Sequence, residues 1–313
     1  MRFNPKARLD SSRVHDAGRG GGRGGGGLGG ALGSGRGLPL PGGLGGGVGG
    51  FVVLALVVVV YLLQNSGGGA GGSGAAYDTG RFTDTGRYAG CTTGEDANAS
   101  ADCARVAVEN SLDDFWSTTL GDRFAPIEGL TTFEGSISTG CGGASSDVGP
   151  FYCPSDRSIY LDDGFFVDVL QGELDGPAGA FVEPYVLAHE YGHHISNLLG
   201  TMGQVTGDTG PQSSGVRLEL QADCFAGLWA AHATTTEDAE GQVLLLDLTD
   251  EDIALAIEAA KAVGDDYIQR RTGGRVDEEV WTHGSSAQRR DWFERGFAGD
   301  SIRDCDTFGA GRV

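Results

Sequence analysis

Three histidines, a glutamate and a glycine lie within six consecutive positions of this chain, in HEYGHH at residues 189–194. His189 and His193 are four residues apart, so on a helix their rings project from the same face about one turn apart. Two neutral imidazoles so placed can hold one zinc ion, with Glu190 beside the open coordination position of the metal. His194 points about 100° away, and packing is its expected role. The competing interpretation is a pair of core histidines satisfied by hydrogen bonds.

A catalytic zinc site needs a third protein ligand, and spacing tests the candidates. The metzincin pattern requires glycine three and histidine six residues after the second ligand, where this chain has serine and leucine. Residues 217–233 instead offer Glu219 and Asp223 four apart, on one face of an amphipathic stretch. Zinc would remove the cost of burying these acids. We expect Glu219 to bind the metal and Asp223 to accept a hydrogen bond from His189; a solvated helix face with ordinary acids is the alternative.

Four motifs carry a resemblance to a known family. They are HEYGHHISNLLG (189–200), RLELQADCFAGLWA (217–230), THGSSAQRRDWFERG (282–296) and CGGASSDVGPFYCPSDRSIYLDDGFF (141–166). Together they resemble the bacterial putative neutral zinc metallopeptidase family, in motif order, over nearly all of residues 77–305. The resemblance implies a gluzincin-like fold with His189, His193 and Glu219 as zinc ligands and Glu190 as the catalytic acid/base. The glycine-rich linker at 201–215 departs from the family pattern.

The implied reaction is zinc-assisted hydrolysis of a peptide bond. Zinc would lower the pKa of a water molecule, and Glu190 would take its proton and later return it to the leaving amine. A further donor is needed for the oxyanion, and His283 is the candidate; a capping or core histidine is an equally good interpretation of that residue. The sequence thus predicts a zinc metalloendopeptidase acting on peptides or proteins. The alternatives are a non-catalytic, membrane-anchored zinc-binding protein and an extracytoplasmic adaptor without metal.

Helices and short strands must position these residues. Apolar periodicity predicts a helix over 103–118, and alternation predicts strands over 130–138 and 158–162, the latter as an edge strand that could pair with substrate. Glycine and serine predict a loop over 141–153. Further helices are predicted at 184–199, 217–232, 250–263 and 287–297. This order indicates an α+β, zincin-like domain with a small sheet and with helices that carry the ligands, preceded by one transmembrane helix.

Composition divides the chain into four predicted parts. Residues 1–43, rich in arginine and glycine, are predicted to form a disordered cytoplasmic tail. Residues 44–64 include FVVLALVVVVYLL and are long enough to cross a bilayer as one anchor; a buried core helix is the alternative. A Gly/Ser linker at 65–76 then leads to the metallopeptidase domain at 77–313.

Charge is unevenly distributed along the chain. Residues 1–36 hold seven of the 22 basic and two of the 43 acidic residues, which leaves the remainder with a net charge of −26. So acidic a surface repels a phosphate backbone, which excludes nucleic-acid binding by the part of the chain after residue 36. We interpret the acidity as a solvated surface rather than as the mark of a basic substrate. Arginine before the apolar segment predicts a cytoplasmic N-terminus and an extracytoplasmic domain at the cell membrane.

All six cysteines lie after residue 90. An even number suits disulfides in an oxidising compartment, in agreement with the predicted topology. Six cysteines allow 15 pairings, and we hypothesise that neighbours in sequence pair. The hypothesised pairs are Cys91 with Cys103, Cys141 with Cys153, and Cys224 with Cys305. Reduced thiols in a cytoplasmic domain are the alternative.

Overall fold

The structure is a computed structural model that describes residues 1–19 and 79–313. The rest of the predicted tail, the predicted anchor at 44–64 and the predicted linker at 65–76 lie outside the described residues. Within the described ranges, no helix has both the length and the apolar character needed to cross a membrane. The fold mixes helices with small sheets, which confirms the α+β class.

Three small sheets contain the strands of the described residues. The strands are β1 (Arg2–Phe3), β2 (Val14–Arg19), β3 (Gly129–Glu134), β4 (Ser136–Thr139), β5 (Gly142–Ser145), β6 (Phe151–Cys153), β7 (Ser158–Asp162) and β8 (Leu245–Asp247). The largest sheet has the order β2-β3-β7-β6, in which the first three strands run parallel and β6 runs antiparallel to β7. β1 pairs with β8, and β4 pairs with β5, both antiparallel.

The strand predictions hold in part. The strand at 158–162 is confirmed as β7. The strand at 130–138 is interrupted at Gly135, whose φ of 86° ends β3 before β4 begins. The loop at 141–153 is wrong in part, because β5 and β6 lie within it. Strands this short carry too few residues for alternation to stand out among glycines and serines.

Helices hold more of the described residues than strands do. They are α1 (Gly94–Ala99), α2 (Ala101–Leu120), α3 (Val182–Leu198), α4 (Ser214–His232), α5 (Asp250–Ala262), α6 (Asp265–Thr272) and α7 (Ser286–Phe297), and a π-helix spans Phe165–Glu173. All five predicted helices are confirmed with ends within three residues of those expected. Helix α6 was not predicted, because its short polar sequence carries little apolar periodicity.

Local signals set the ends of α3 and α4. Pro184 lies in the first turn of α3, where a missing N–H is tolerated, and Gly200 follows the helix with a φ of 79°. The hydroxyl of Ser213 caps α4 by accepting a hydrogen bond from the N–H of Val216. The two helices are therefore separate rods joined by the linker at 201–213.

Close packing of small residues sets the distance between these rods. A Cβ on Gly192 would lie 2.9 Å from the Cα of Ala222, so only glycine allows α3 and α4 to cross at this distance. On another face of α4, Gly227 lies against the backbone of Phe293 in α7. Helix α4 is thus packed tightly between α3 and α7.

The hypothesised disulfides are confirmed. Cys91 pairs with Cys103, Cys141 with Cys153, and Cys224 with Cys305. The last pair closes a separation of 81 residues and joins α4 to the segment after α7. A cross-link over so long a loop constrains the unfolded chain by about 4–5 kcal/mol in the chain-entropy account.

Residues 1–19 belong to the folded domain, and the prediction of a disordered tail is wrong for them. β1 pairs with β8, and β2 pairs in parallel with β3. Phe3 and Val14 are buried in the core, and full burial of such side chains contributes about 1.5–3 kcal/mol each. The glycine-rich composition that indicated disorder is concentrated after residue 19, so an average over 1–43 concealed these strands.

This pairing also bears on topology. Strands of one sheet lie about 5 Å apart, so β2 and β3 cannot be separated by a bilayer. The predicted arrangement places residues 1–19 and the domain on opposite sides of the membrane. In the structure they lie together, because hydrogen bonds join β2 to β3.

Arg13 provides a test of this assignment. Its guanidinium lies 3.0 Å from Glu109 and 3.1 Å from Asp113 of α2, and the side chain of Glu109 is only 2 % exposed. Breaking a buried ion pair costs about 3–5 kcal/mol, and partial exposure of the arginine reduces this. We expect Arg13→Ala to lower the free energy of unfolding in urea by about 2–3 kcal/mol. The exposed Lys6→Ala should change it by less than about 0.5 kcal/mol, and equal effects would contradict the assignment.

Candidate active site

Helices α3 and α4 bring His189, His193 and Glu219 together. Nε2 of His189 lies 3.2 Å from Oε2 of Glu219, and Nε2 of His193 lies 3.5 Å from Oε1. One ligand atom from each of the three residues lies within 4.8 Å of the other two. The ligand set predicted from the sequence is therefore assembled in one place.

The chemistry of these donors fits a zinc ion. Nδ1 of His189 faces a carboxylate, so the neutral ring carries its proton there and presents a lone pair at Nε2. Burial alone would raise the pKa of Glu219, but the imidazoles of His193 and His189 hold it well below its usual range, so the group is ionised. Burial would lower the pKa of His189, but Asp223 and Glu219 raise it to about 9, so without metal a proton lies between Nε2 and Glu219 in the place that a zinc ion would take. Two imidazoles and one carboxylate form a common ligand set of catalytic zinc.

Asp223 lies behind His189 at the centre of a buried hydrogen-bond network. Its Oδ1 accepts from the hydroxyl of Tyr185 at 2.7 Å and lies 2.9 Å from Nδ1 of His189. Arg289 of α7 donates to both carboxylate oxygens, at 2.8 and 2.9 Å. Burial would raise the pKa of Asp223, but Arg289 lowers it to about 2. The predicted contact between Asp223 and His189 is present, and it holds the ring so that Nε2 faces Glu219.

Arg289 should therefore affect metal binding without touching the metal. Arg289→Met removes the donor that keeps Asp223 ionised and oriented, and losses of this kind lower zinc affinity about 10- to 100-fold. Competition with a fluorescent chelator measures the change. The adjacent Arg290, whose side chain is 41 % exposed, offers a matched control in Arg290→Met. Unchanged affinity in Arg289→Met would limit this arginine to a packing role.

Glu190 lies in the same cleft as the ligands and next to β6. Burial is the largest influence on its carboxyl group and raises the pKa to about 7, although His189 and the backbone N–H of Tyr152 act in the opposite direction. A group with a pKa near neutrality can accept and return a proton, as a general acid/base must. The geometry therefore places a suitable group beside the three ligands.

The strand that borders the cleft is β6, so the prediction of 158–162 as an edge strand is wrong. That segment is β7, which lies between β3 and β6. β6 is the last strand of the described sheet, and its residues Phe151 and Tyr152 line the cleft. The error follows from the missed strand: without β6 in the sheet, β7 would be its edge.

His283 enters the cleft from the loop between α6 and α7. Asp265 fixes this loop, because its Oδ2 accepts from the backbone N–H groups of Thr282, His283 and Gly284 at 2.8, 2.7 and 2.9 Å. Its Oδ1 lies 3.3 Å from Nδ1 of His283. Burial would lower the pKa of His283, but Asp265 raises it. The ring therefore shares the cleft with the ligands and is held there by Asp265.

His194 does not take part in the site, as expected. Its Nε2 lies 2.7 Å from the carbonyl oxygen of Ala125, and its Nδ1 lies 3.0 Å from the hydroxyl of Tyr152. Burial lowers its pKa to about 4, so the ring is neutral. It packs α3 against β6, and this contact holds the cleft wall next to the ligand helix.

Three residues of the site were not identified from the sequence: Tyr185, Asp265 and Arg289. One signal pointed to the arginine. Asp223 has no basic partner at helical spacing on its own helix, so a buried carboxylate there required a cation from another segment. The motif at 282–296 contains Arg289, but nothing in its spacing distinguishes it from Arg290.

Comparison with known proteins agrees with this geometry. Residues 1–308 match the family described as putative neutral zinc metallopeptidase. Uncharacterized protein Rv2575 of Mycobacterium tuberculosis is 49% identical over 222 residues, 70% of this chain and 75% of that protein. Uncharacterized protein YpfJ of Escherichia coli K12 is 40% identical over 186 residues, 58% of this chain and 61% of that protein. No solved structure matches. With three zinc-type ligands converging in its cleft, the chain belongs to this zinc metallopeptidase family, and zinc is the cofactor that membership implies.

Proposed function

We propose that this protein is a zinc-dependent endopeptidase that hydrolyses peptide bonds in peptides or proteins. The observation that carries the proposal is the convergence of His189, His193 and Glu219 in one cleft with Glu190. Three protein ligands leave a coordination position open for reaction, whereas a structural zinc site fills it with cysteine or histidine. All six cysteines are in disulfides, and His283 is not a member of the ligand group.

Each polar residue of the cleft then has a role. When bound, zinc polarises the substrate carbonyl and lowers the pKa of water. Glu190 takes the proton from the attacking water and delivers it to the leaving amine. Asp223 keeps His189 in the tautomer that presents Nε2. His283, positioned by Asp265, donates a hydrogen bond to the oxyanion that develops on the carbonyl oxygen.

The proposal includes a binding mode for the peptide backbone. β6 is the end strand of the described sheet and lies beside Glu190, so an extended substrate can pair with it as the next strand. Such pairing uses main-chain hydrogen bonds, which every peptide offers. Side-chain preference must then come from the walls of the cleft.

We also propose that the domain works outside the cytoplasm, with residues 1–19 on the same side of the membrane as residues 79–313, so that residues 44–64 do not act as a single-pass anchor between them. Three disulfides support an oxidising compartment. The pairing of β2 with β3 adds the requirement that residues 1–19 share that compartment. Cysteines introduced at the exposed Lys6 and Glu278 should both react with a membrane-impermeant maleimide in intact cells. Reaction of only one would contradict the shared compartment.

The catalytic proposal can be tested on the purified full-length chain. Elemental analysis should find close to one zinc per chain. Hydrolysis of casein or of a peptide library should stop with a chelator and return when zinc is added. Stoichiometric zinc without cleavage of any substrate would favour a non-catalytic zinc-binding protein, and a chain that binds no zinc would contradict both functions.

A further inference from the structure

The walls of the cleft point to a substrate class. We infer that the protein selects peptides that place a large apolar side chain beside the scissile bond and discriminates against acidic and basic side chains there. The inference rests on the proposed function only in taking this cleft as the peptide-binding site.

Apolar side chains from separate segments of the chain form these walls. They are Phe165 of the π-helix, Met202 and Val205 of the linker between α3 and α4, Leu218 of α4, and Val263 and Ile268 on either side of the start of α6. Each has most of its surface buried while still lining the cleft. Removing apolar surface from water contributes about 25 cal/mol per Å², so an apolar substrate side chain gains by entering.

The cleft residues that could pair with an acidic substrate side chain are already held by other groups. Among the described residues, those lining it are the three ligands, Glu190, His283 and Arg289. Arg289 is held by both oxygens of Asp223 and by the carbonyl of Val263, and His283 is held by Asp265. An acidic substrate side chain would therefore lose water without gaining a partner, which is costly in a buried site. A basic one could pair only with Glu219 or Glu190, which the metal and the attacking water require.

The apolar wall adjoins the reacting groups. Leu218 directly precedes the ligand Glu219 on α4. Ile268 lies on α6, one turn after Asp265, which fixes His283. Because these side chains line the same cleft as the ligands and His283, we expect them to contact the substrate residue next to the scissile bond.

A peptide series on the full-length chain tests this inference. Peptides that differ only in having Leu, Phe, Ala, Asp or Lys next to the scissile bond are compared by kcat/KM. We expect Leu or Phe to exceed Ala about 10-fold and to exceed Asp or Lys at least about 100-fold. The same peptides are titrated into zinc-loaded Glu190→Gln, in which binding is measured without turnover, and the same order is expected.

A charge placed in the wall provides a second measurement. Ile268→Lys should reduce the preference for Leu over Asp at least about 10-fold. Leu246→Lys makes the same change at a side chain 40 % exposed and outside the cleft, and should leave the preference unaltered. Zinc content and melting temperature are measured for both variants. If Ile268→Lys does not fold, the peptide series on the wild-type chain decides.

The outcomes separate this inference from the proposed function. Equal binding and cleavage of the Leu and Asp peptides would overturn the inference and leave the peptidase in place. Selective binding of the Leu peptide, with no cleavage by the wild-type chain, would support the inference and overturn the peptidase. Failure to bind any peptide would overturn both.

Discussion

Glu190→Gln is expected to lower kcat for peptide hydrolysis at least about 1,000-fold while zinc content stays unchanged. Glutamine has the shape of glutamate but cannot accept the proton of the attacking water, and general acid–base catalysis contributes about 100- to 10,000-fold. Glu190 is not one of the three ligands, so its amide variant should retain the metal. A fluorogenic peptide measures kcat, and elemental analysis measures zinc.

An exposed glutamate provides the control for this experiment. Glu258 of α5 has a side chain 57 % exposed and lies outside the cleft, so Glu258→Gln should leave both kcat and zinc content unchanged. Cleavage by Glu190→Gln at the wild-type rate would exclude this carboxylate as the base. His283 would then be the next candidate among the described residues of the cleft.

Glu219→Ala should remove most of the affinity for zinc. Loss of a residue that only hydrogen-bonds to a ligand already weakens zinc binding about 10- to 100-fold. Loss of one of the three ligands should therefore weaken zinc binding by more than about 100-fold. Zinc at 100 times its Kd stabilises the wild-type chain by about 2.7 kcal/mol, which thermal unfolding detects as a raised Tm. The variant should show no such rise at the same zinc concentration.

The metal-free state of this variant gives an independent check. In the wild-type chain the carboxylate of Glu219 faces two imidazole Nε2 atoms. The imidazoles lower the pKa of this carboxyl group and so stabilise it without metal, and metal-free Glu219→Ala should therefore melt below the metal-free wild-type chain. Glu294→Ala, at a side chain 53 % exposed, controls for the loss of a glutamate. Wild-type zinc affinity in Glu219→Ala would contradict the ligand assignment.

Much of the site could be predicted because its information is local. His189 and His193 are one turn apart, so a helix alone places their rings together, and the same reasoning pairs Glu219 with Asp223. Unpaired acids on an apolar helix need a cation, and the two histidines could hold one. The sequence therefore also indicated that the two pairs meet. The disulfides Cys91–Cys103 and Cys141–Cys153 are similarly local, at a separation of 12 residues each.

Local sequence patterns could not predict the contacts between distant segments. β6 has three residues, too few to show alternation, yet its place at the end of the sheet makes it the strand beside Glu190. Composition predicted a flexible tail over residues 1–19. Only the pairing of β2 with β3, more than 100 residues away in sequence, shows that these residues are folded. The separation of Asp265 from His283, and of Asp223 from Arg289, likewise conceals pairs that meet only in the folded chain.

The sequence by itself determined which chemistry is available: imidazoles and carboxylates at helical spacing, suited to zinc, with a further glutamate beside them. Only the tertiary structure decided how that chemistry is held and what it faces. It brought α7 behind His189, placed β6 along the cleft and lined the cleft with apolar side chains. The reason is physical: helical spacing depends on backbone geometry shared by every helix, whereas packing partners depend on which distant surfaces bury one another best.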